Sequence, residues 1–358
     1  MPVAMSQREL LGRRALRLAF GTALCLAISF GMDLSIPFIA PVLAVFLFAS
    51  VPRPLSLKAG IGLVLVLALT TGSGLLLAPV LRYYVMSGVL LVGLCLFLAF
   101  RYGLSGGNNL VATFLAAGLT MISAAGTADL QLALTVVGAL VKGLLLAVLV
   151  LGIGHALFPE PASAPKPPIR PAPSRAEATR LALRATLVVL PAFLLALADP
   201  SSYMPIIMKS VSLGRQSCTT TARSAARELL GSTLLGGAMA IVFWFALKWF
   251  VHLWMFFLWM LLFGLCLARR LYRLKPSPYT PGFWLNSLVT LIILLGQSVQ
   301  DSVAGKDVYT AFIVRMGLFI AVTLYACLML QLLDARPRLQ PRATHGATDA
   351  AAHPTGQP

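Results

Sequence analysis

The chain has 358 residues, of which 59% are hydrophobic and only 11% are charged. A soluble domain carries about 25% charged residues, so this composition excludes a soluble globular protein and indicates an integral membrane protein. The formal net charge of +17 arises from short basic clusters between apolar runs. Such clusters are typical of cytoplasmic loops, and nucleic acid is therefore not an expected partner.

The first half of the chain contains six apolar runs, which follow a basic cytoplasmic tail at residues 1–14. At about 1.5 Å per residue, most of these runs are long enough to cross a hydrocarbon core of about 30 Å as helices. They span approximately residues 15–32, 36–51, 59–80, 84–100, 107–126 and 130–157. We therefore predict a first six-helix unit at residues 15–158.

Residues 159–178 are rich in proline and too poor in apolar residues to fold alone, so we predict a cytoplasmic linker there. The pattern then restarts, because Leu183-Arg184 opens an apolar run as Leu16-Arg17 did. The second set of runs spans approximately residues 183–198, 203–214, 229–249, 251–268, 282–300 and 308–333. We predict a second six-helix unit at residues 179–334 and a disordered cytoplasmic tail at residues 335–358.

The distribution of charge predicts the side of the membrane that each loop faces. If the amino terminus is cytoplasmic and each of the twelve runs crosses once, most basic residues fall on the cytoplasmic side, Lys209 among them. The opposite side receives Arg82, Lys248 and Lys306. This bias predicts cytoplasmic termini. The predicted fold class is an all-α membrane protein of about twelve transmembrane helices, arranged as two parallel six-helix repeats.

Two short apolar segments carry prolines at corresponding places in the two halves. Pro37 and Pro41 lie in the segment at residues 36–51, and Pro205 lies in the segment at residues 203–214. Short or interrupted helices in matching positions are a good indication of a transporter's binding site. We therefore predict broken or partly unwound helices at these prolines.

Lys142 and Arg315 lie inside the last apolar run of each half. In both runs the basic residue comes just before a Gly-Leu-x-x-Ala-Val sequence, at Gly143 and at Gly317. A cation at bilayer depth costs about 2.5–3.5 kcal/mol on insertion scales and normally faces a bundle interior or a wet cavity. We predict that both side chains bind the substrate; pairing with neighbouring carbonyl or hydroxyl groups is the structural alternative.

Two further pairs of polar residues match between the halves. Asn109 and Asn286 lie near the starts of the fifth and eleventh segments, where helix amino termini favour anions; helix capping or an interhelical hydrogen bond is the structural alternative. Asp33 and Asp199 adjoin the proline-bearing segments and are candidates for proton coupling. Solubility of the loops would also explain these two acids.

The sequence contains none of the motifs on which common enzyme classes depend. A Walker A loop, a G-x-S-x-G elbow and an H-E-x-x-H helix are all absent. The histidines and the five cysteines have no spacing typical of a metal site. We therefore expect no catalytic activity, no metal and no cofactor.

The segment from Glu228 to Gly236 resembles the R-x-x-G-T-x-x-G signature of the fusaric-acid-resistance and aromatic-acid-exporter superfamily of bacterial inner-membrane proteins. Other shared features are the Leu-Arg opening of each half, the proline-bearing second helix, and the basic residue and glycine of the sixth helix. They are found at Leu16-Arg17, Leu183-Arg184, Pro37, Lys142-Gly143 and Arg315. The resemblance covers nearly the whole membrane part. The large cytoplasmic domains typical of full-length members have no counterpart, so the chain resembles a half-size relative from an uncharacterised branch.

The resemblance implies an inner-membrane permease that exports small organic anions, aromatic carboxylates above all, using the proton gradient. It also implies a periplasmic adaptor of the membrane-fusion type as a partner, in addition to the anionic substrate and membrane lipids. Homo-oligomerisation is left open. The alternative function is a membrane scaffold or assembly partner in the cell envelope that transports nothing.

Overall fold

The computed structural model describes residues 6–51, 55–160, 173–218 and 222–334, and every regular element in these ranges is a helix. The predicted tail at residues 335–358 and most of the predicted linker lie outside the described residues. The helices of the first half are α1 (Gln7–Gly31), α2 (Ile39–Ser50), α3 (Leu57–Tyr83), α4 (Val85–Leu104), α5 (Asn109–Ala128) and α6 (Leu130–Leu157).

The second half contains α7 (Arg175–Ala198), α8 (Pro200–Ser217), the short α9 (Ala222–Ala225), a π-helical turn (Ala226–Leu230), α10 (Gly231–Trp249), α11 (Leu253–Leu271), α12 (Pro281–Val303) and α13 (Val308–Asp334). Each of the twelve predicted apolar segments therefore corresponds to a helix in the described ranges. Ten of these helices are long and apolar enough to cross a membrane, which confirms a helical multi-pass membrane protein. The exceptions are the short α2 and the more polar α8.

Two helices begin earlier than the hydropathy pattern predicted. α1 begins at Gln7, where the Ser6 hydroxyl accepts a hydrogen bond from the backbone N–H of Glu9 and the Glu9 carboxylate accepts one from the Ser6 N–H. α7 begins at Arg175, where the Ser174 hydroxyl accepts a hydrogen bond from the N–H of Glu177. Capping side chains extend a helix beyond its apolar part. Residues 7–14 of the predicted basic tail thus form about the first two turns of α1.

α2, α5, α8 and α12 form the centre of the bundle. In α2, every residue from Ile39 to Phe48 is buried, and α8 is buried almost throughout from Met204 to Ser217. The apolar windows of α5 and α12 are 78% buried, whereas that of α3 is 22% buried. Long apolar side chains cover the outside of α3, α4, α11 and α13, as lipid-facing surfaces require.

The packing partners of the first six helices recur in the second half. α1 packs against α2, α6 and α11, and correspondingly α7 packs against α8, α13 and α4. α3 packs against α5 as α10 packs against α12, and α2 packs against α6 as α8 packs against α13. The central helices join the halves through the contacts of α5 with α8 and of α2 with α12.

The two ends of the bundle are named here by α1. The proximal end is the one at which α1 begins, and the distal end is the one at which α1 ends. Two contacts show which ends of the other helices lie together. Arg215, near the end of α8, donates to Ser50 at the end of α2, and Lys248, at the end of α10, donates to Tyr309 at the start of α13. α2 and α8 therefore both run from the distal end to the proximal end.

The prolines of α2 and α8 do not break either helix. Pro41 lies in the first turn of α2, where the missing N–H has no helical partner to lose. α8 is continuous from Pro200 to Ser217 and includes Pro205. The predicted interruption of the eighth segment is thus not seen, although Pro205 lies inside this helix.

Close packing of α10 against α12 depends on Gly236. A Cβ atom at this position would lie 2.6 Å from the Ser287 carbonyl oxygen and 2.6 Å from the Thr290 Cβ. We expect Gly236→Ala to lower the free energy of unfolding by about 1–3 kcal/mol through overpacking. Gly152→Ala is the matched control, because nothing lies within 4 Å of its Cβ position. Thermal unfolding of the two variants in detergent measures the difference; equal midpoints would contradict the packing.

Candidate functional site

A cavity of about 720 Å³ lies at the distal end of the bundle, and we call it the distal cavity. It opens where α2 and α8 begin, between the ends of α1 and α12 and the first turns of α6 and α13. Sites for small molecules usually enclose about 300–1,000 Å³, so the distal cavity has a suitable size. Phe30, Phe38 and Met204 provide apolar wall, and Asp301 and Arg315 provide charge.

The two proline-bearing segments meet at this cavity. Pro37, just before α2, and Pro205, in α8, both line it. The segment before α2 also packs closely against α12, because Gly296 leaves room for the Phe38 side chain: a Cβ at Gly296 would lie 2.6 Å from the Phe38 Cβ. The distal cavity thus has walls from both halves of the chain.

Arg315 is held in the distal cavity by a carboxylate from the end of α12. Its Nη2 donates to Asp301 Oδ1 at 3.0 Å, and its Nη1 contacts Oδ2 of the same carboxylate. The side chains are 16% and 6% exposed. A two-point fork of this kind is the strong, oriented form of an arginine–carboxylate contact, and it presents a guanidinium whose partner could be exchanged for another carboxylate.

Lys209 is fully buried one helical turn beyond Pro205 on α8, on the proximal side of the distal cavity. Its Nζ donates to Asn286 Oδ1 at 3.1 Å and to Thr290 Oγ1 at 2.6 Å, both on α12. The ammonium also lies 5.9 Å from the centre of the Phe319 ring. Its hydrogen-bond partners among the described residues are therefore neutral, in a place where an ion pair would ordinarily be expected.

The lysine network extends into the segment that resembles the exporter signature. Asn286 Nδ2 donates to Ser232 Oγ at 2.6 Å, and the Ser212 hydroxyl donates to Asn286 Oδ1 at 3.3 Å. In the π-helical turn just before Ser232, the buried Glu228 accepts from the Thr280 N–H at 3.3 Å and from its hydroxyl at 2.6 Å. Isolated π-helical turns occur frequently at functional sites.

Asp33 and Asp199 both lie at the distal end, but in different settings. Asp33 lines the distal cavity, with a positive φ of 48° in the turn after α1. Asp199 caps α8: its Oδ1 accepts from the Ser201 hydroxyl at 2.6 Å and from the Ser202 N–H at 3.3 Å. These hydrogen bonds, that from Ser201 first, lower the pKa of Asp199. Asp199 therefore stays ionised at neutral pH.

Several of the predicted site residues do not line the distal cavity, and Asp199 and Pro41 are among them. Lys142 is exposed on the outside of α6 and is absent from the cavity lining. Asn109 is exposed at the first residue of α5, at the proximal end. Asn286, its predicted counterpart, is buried on α12 as a partner of Lys209. The structure thus brings Asp33, Pro37, Pro205 and Arg315 together and separates them from Lys142 and Asn109.

Sequence reasoning missed Lys209 and Asp301 as site residues. Lys209 was counted among the cytoplasmic loops, although it follows an apolar Pro-Ile-Ile-Met sequence and an intramembrane ionisable residue is a site candidate by default. Asp301 was not singled out by the sequence pattern, and it lies in the last turn of α12, where it is 5% exposed. The rule that singled out Arg315 would have found Lys209 as well.

The fold and the buried charges define a multi-pass α-helical membrane protein with a polar cavity between its two halves. A family described as "Protein of unknown function (DUF2955)" matches residues 14–153, which contain α2 to α5 and most of α1 and α6. No curated protein and no solved structure matches the chain. The match is to a family without an assigned function, and the relation to the fusaric-acid-resistance superfamily stays a prediction.

Proposed function

We propose that this chain is a permease that carries small organic anions, aromatic carboxylates among them, across the membrane in which it lies. The observation that carries the proposal is that the guanidinium of Arg315 lines a cavity of about 720 Å³. Apolar side chains form part of the wall of this cavity, which opens at the distal end of the bundle. A carboxylate can replace Asp301 on that guanidinium with the same two-point geometry, and an aromatic ring can pack against Phe30, Phe38 and Met204.

The proposed architecture is a parallel duplication with both termini in the cytoplasm of a bacterial inner membrane. The recurrence of the packing partners in α1–α6 and α7–α13 supports the duplication, and the basic loops support the orientation. In this topology the distal cavity faces the periplasm. A periplasmic adaptor of the membrane-fusion type is the proposed partner on that side.

Uptake of radiolabelled benzoate and related acids into proteoliposomes tests the proposal. Wild-type protein should move at least one of these acids faster than empty liposomes do, under a pH gradient of either sign. Absence of uptake for the whole panel, by protein that remains folded, would contradict transport and favour the alternative of a non-transporting scaffold.

The Asp301 carboxylate is the direct competitor of a substrate carboxylate in the proposed function. It occupies the Arg315 guanidinium, so a substrate carboxylate must displace it. The sequence resemblance implies export driven by the proton gradient, and the two gradient directions in the liposome assay test that coupling.

Asp301→Asn should lower the benzoate concentration at which uptake is half-maximal, because the carboxylate that competes for Arg315 is gone. Asp199→Asn is the matched control, since Asp199 caps α8 through Ser201 and Ser202. We therefore expect its concentration dependence to follow that of the wild type. Initial uptake rates over a series of benzoate concentrations measure both variants, and an unchanged concentration dependence in Asp301→Asn would contradict the competition.

A further inference from the structure

A second, smaller cavity lies at the proximal end, opposite the distal cavity, and we call it the proximal pocket. Its volume is about 190 Å³, and it is lined by the last turn of α2 together with Arg14 and Arg17 of α1, His155 of α6 and Tyr272 after α11. Burial raises the pKa of Tyr272 to about 12, so its hydroxyl remains a neutral hydrogen-bond donor. Two guanidinium groups and a phenol thus face a small space at the end of a central helix.

A carboxylate of the chain itself already binds these two arginines. Arg14 donates from Nε and Nη2 to the two carboxylate oxygens of Glu160, each at 2.9 Å, and Arg17 contacts Oε1 through Nη2. Glu160 lies beyond the end of α6, in the segment that leads to α7, and its side chain is 8% exposed. The carboxylate is therefore held by the arginines and not by a helix.

Not every guanidinium N–H around this pocket has an acceptor among the described residues. Arg17 is 3% exposed, and its Nη1 is buried without a hydrogen-bond partner in the described part of the chain. Arg215 adds a third guanidinium nearby: its Nη2 donates to Ser50 at 3.0 Å, while its Nη1 is buried and likewise without a partner there. Leaving such donors unpaired is costly, and a second acceptor group would satisfy them.

We propose that the proximal pocket is a second anion site, in which a ligand carboxylate accepts from the guanidinium donors that Glu160 leaves unpaired. This inference rests on the proposed function, because it assigns to the pocket the same class of small organic carboxylate, received from the proximal side. The ligand carboxylate competes with Glu160 for Arg14 and Arg17. The chain then has one anion site at each end of α2, with the buried segment from Pro41 to Leu47 between them.

Benzoate binding measured by calorimetry tests this site in the full-length protein, reconstituted in phosphatidylcholine nanodiscs. All variants carry Arg315→Gln, which removes the distal site from the measurement. In this background Glu160→Gln should bind benzoate about tenfold or more tightly than the parent, because the competing carboxylate is gone. Addition of Arg17→Gln should abolish the gain. Glu177→Gln, an exposed acid at the start of α7, is the charge-matched control and should show no gain.

Two arms make the result decisive. Glu160→Asp keeps the charge but draws the carboxylate back, so it should show an intermediate gain even if Glu160→Gln fails to fold. The same titration in discs that contain phosphatidylglycerol separates a free carboxylate from a lipid headgroup. Loss of the gain in those discs would assign the pocket to lipid and overturn the proposal, as would equal affinity in Glu160→Gln and its parent. Absence of benzoate uptake by the wild-type protein, with these affinities intact, would instead contradict the proposed function.

Discussion

Arg315→Gln is expected to abolish benzoate uptake into proteoliposomes while leaving protein abundance near the wild-type level. In the proposed function the guanidinium binds the ligand carboxylate in the distal cavity, and a charge-assisted hydrogen bond is worth about 1.5–3 kcal/mol. Loss of the forked pair should therefore weaken anion binding by about 10-fold to 100-fold or more. Asp301 is left without its partner, but it lines the open cavity, where water can reach it.

Lys142→Gln is the control for this experiment, because Lys142 occupies the matching place in the sequence of the first half but is exposed on the outside of α6. We expect its uptake rate to stay within about twofold of the wild type, since a surface substitution away from a site usually has a small effect. Equal losses in both variants would mean that the substrate path passes Lys142, as the sequence pattern alone suggested. Retention of uptake in Arg315→Gln would show that the distal cavity is not the substrate site.

Lys209→Met is expected to abolish transport without destabilising the protein. Burial of an ammonium with neutral partners costs several kcal/mol, and a methionine of similar volume avoids that cost. Asn286 keeps the hydrogen bonds of Ser212 and Ser232 in this variant, so that no buried amide is left unpaired. The unfolding temperature should therefore stay the same or rise, while uptake falls to background.

Asn286→Leu gives the contrasting result. It removes a neutral partner but keeps the buried ammonium, which retains Thr290 as its hydrogen-bond acceptor. We expect the free energy of unfolding to fall by about 1–3 kcal/mol, the cost of leaving a buried polar group short of a partner. A stable Lys209→Met variant with full transport would show that Lys209 is a structural cation only.

The helices and their order could be predicted from the sequence because hydropathy depends on composition alone. Each apolar run became a helix, and the two runs that looked weakest, α2 and α8, proved to be central and buried. Their short length and their polarity are compatible with the membrane because protein, not lipid, surrounds them. Helix starts were less predictable, since the capping residues Ser6 and Ser174 lie outside the apolar runs.

The site was only partly predictable because a sequence does not give the rotation of each helix about its own axis. Arg315 and Lys142 precede the same short motif, yet one side chain points into a cavity and the other lies on the outside. The pairing of Arg315 with Asp301 depends on how α12 and α13 pack. The pairing of Arg14 and Arg17 with Glu160 likewise joins residues far apart in sequence.

The two cavities give the proposed transport cycle a structural basis. The distal cavity and the proximal pocket lie at opposite ends of α2, and the buried residues of α2 lie between them. A permease must expose its site to each side in turn, which commonly occurs by movement of one repeat against the other. The cross-contacts of α5 with α8 and of α2 with α12 are where such a movement would occur.

The proposed function depends on the exchange of Asp301 for a ligand carboxylate on Arg315, and calorimetry of benzoate binding in phosphatidylcholine nanodiscs measures that exchange. Asp301→Asn should bind benzoate more tightly than the wild type, because the competing carboxylate is gone. Equal benzoate affinity in Asp301→Asn and in the wild type would contradict the exchange.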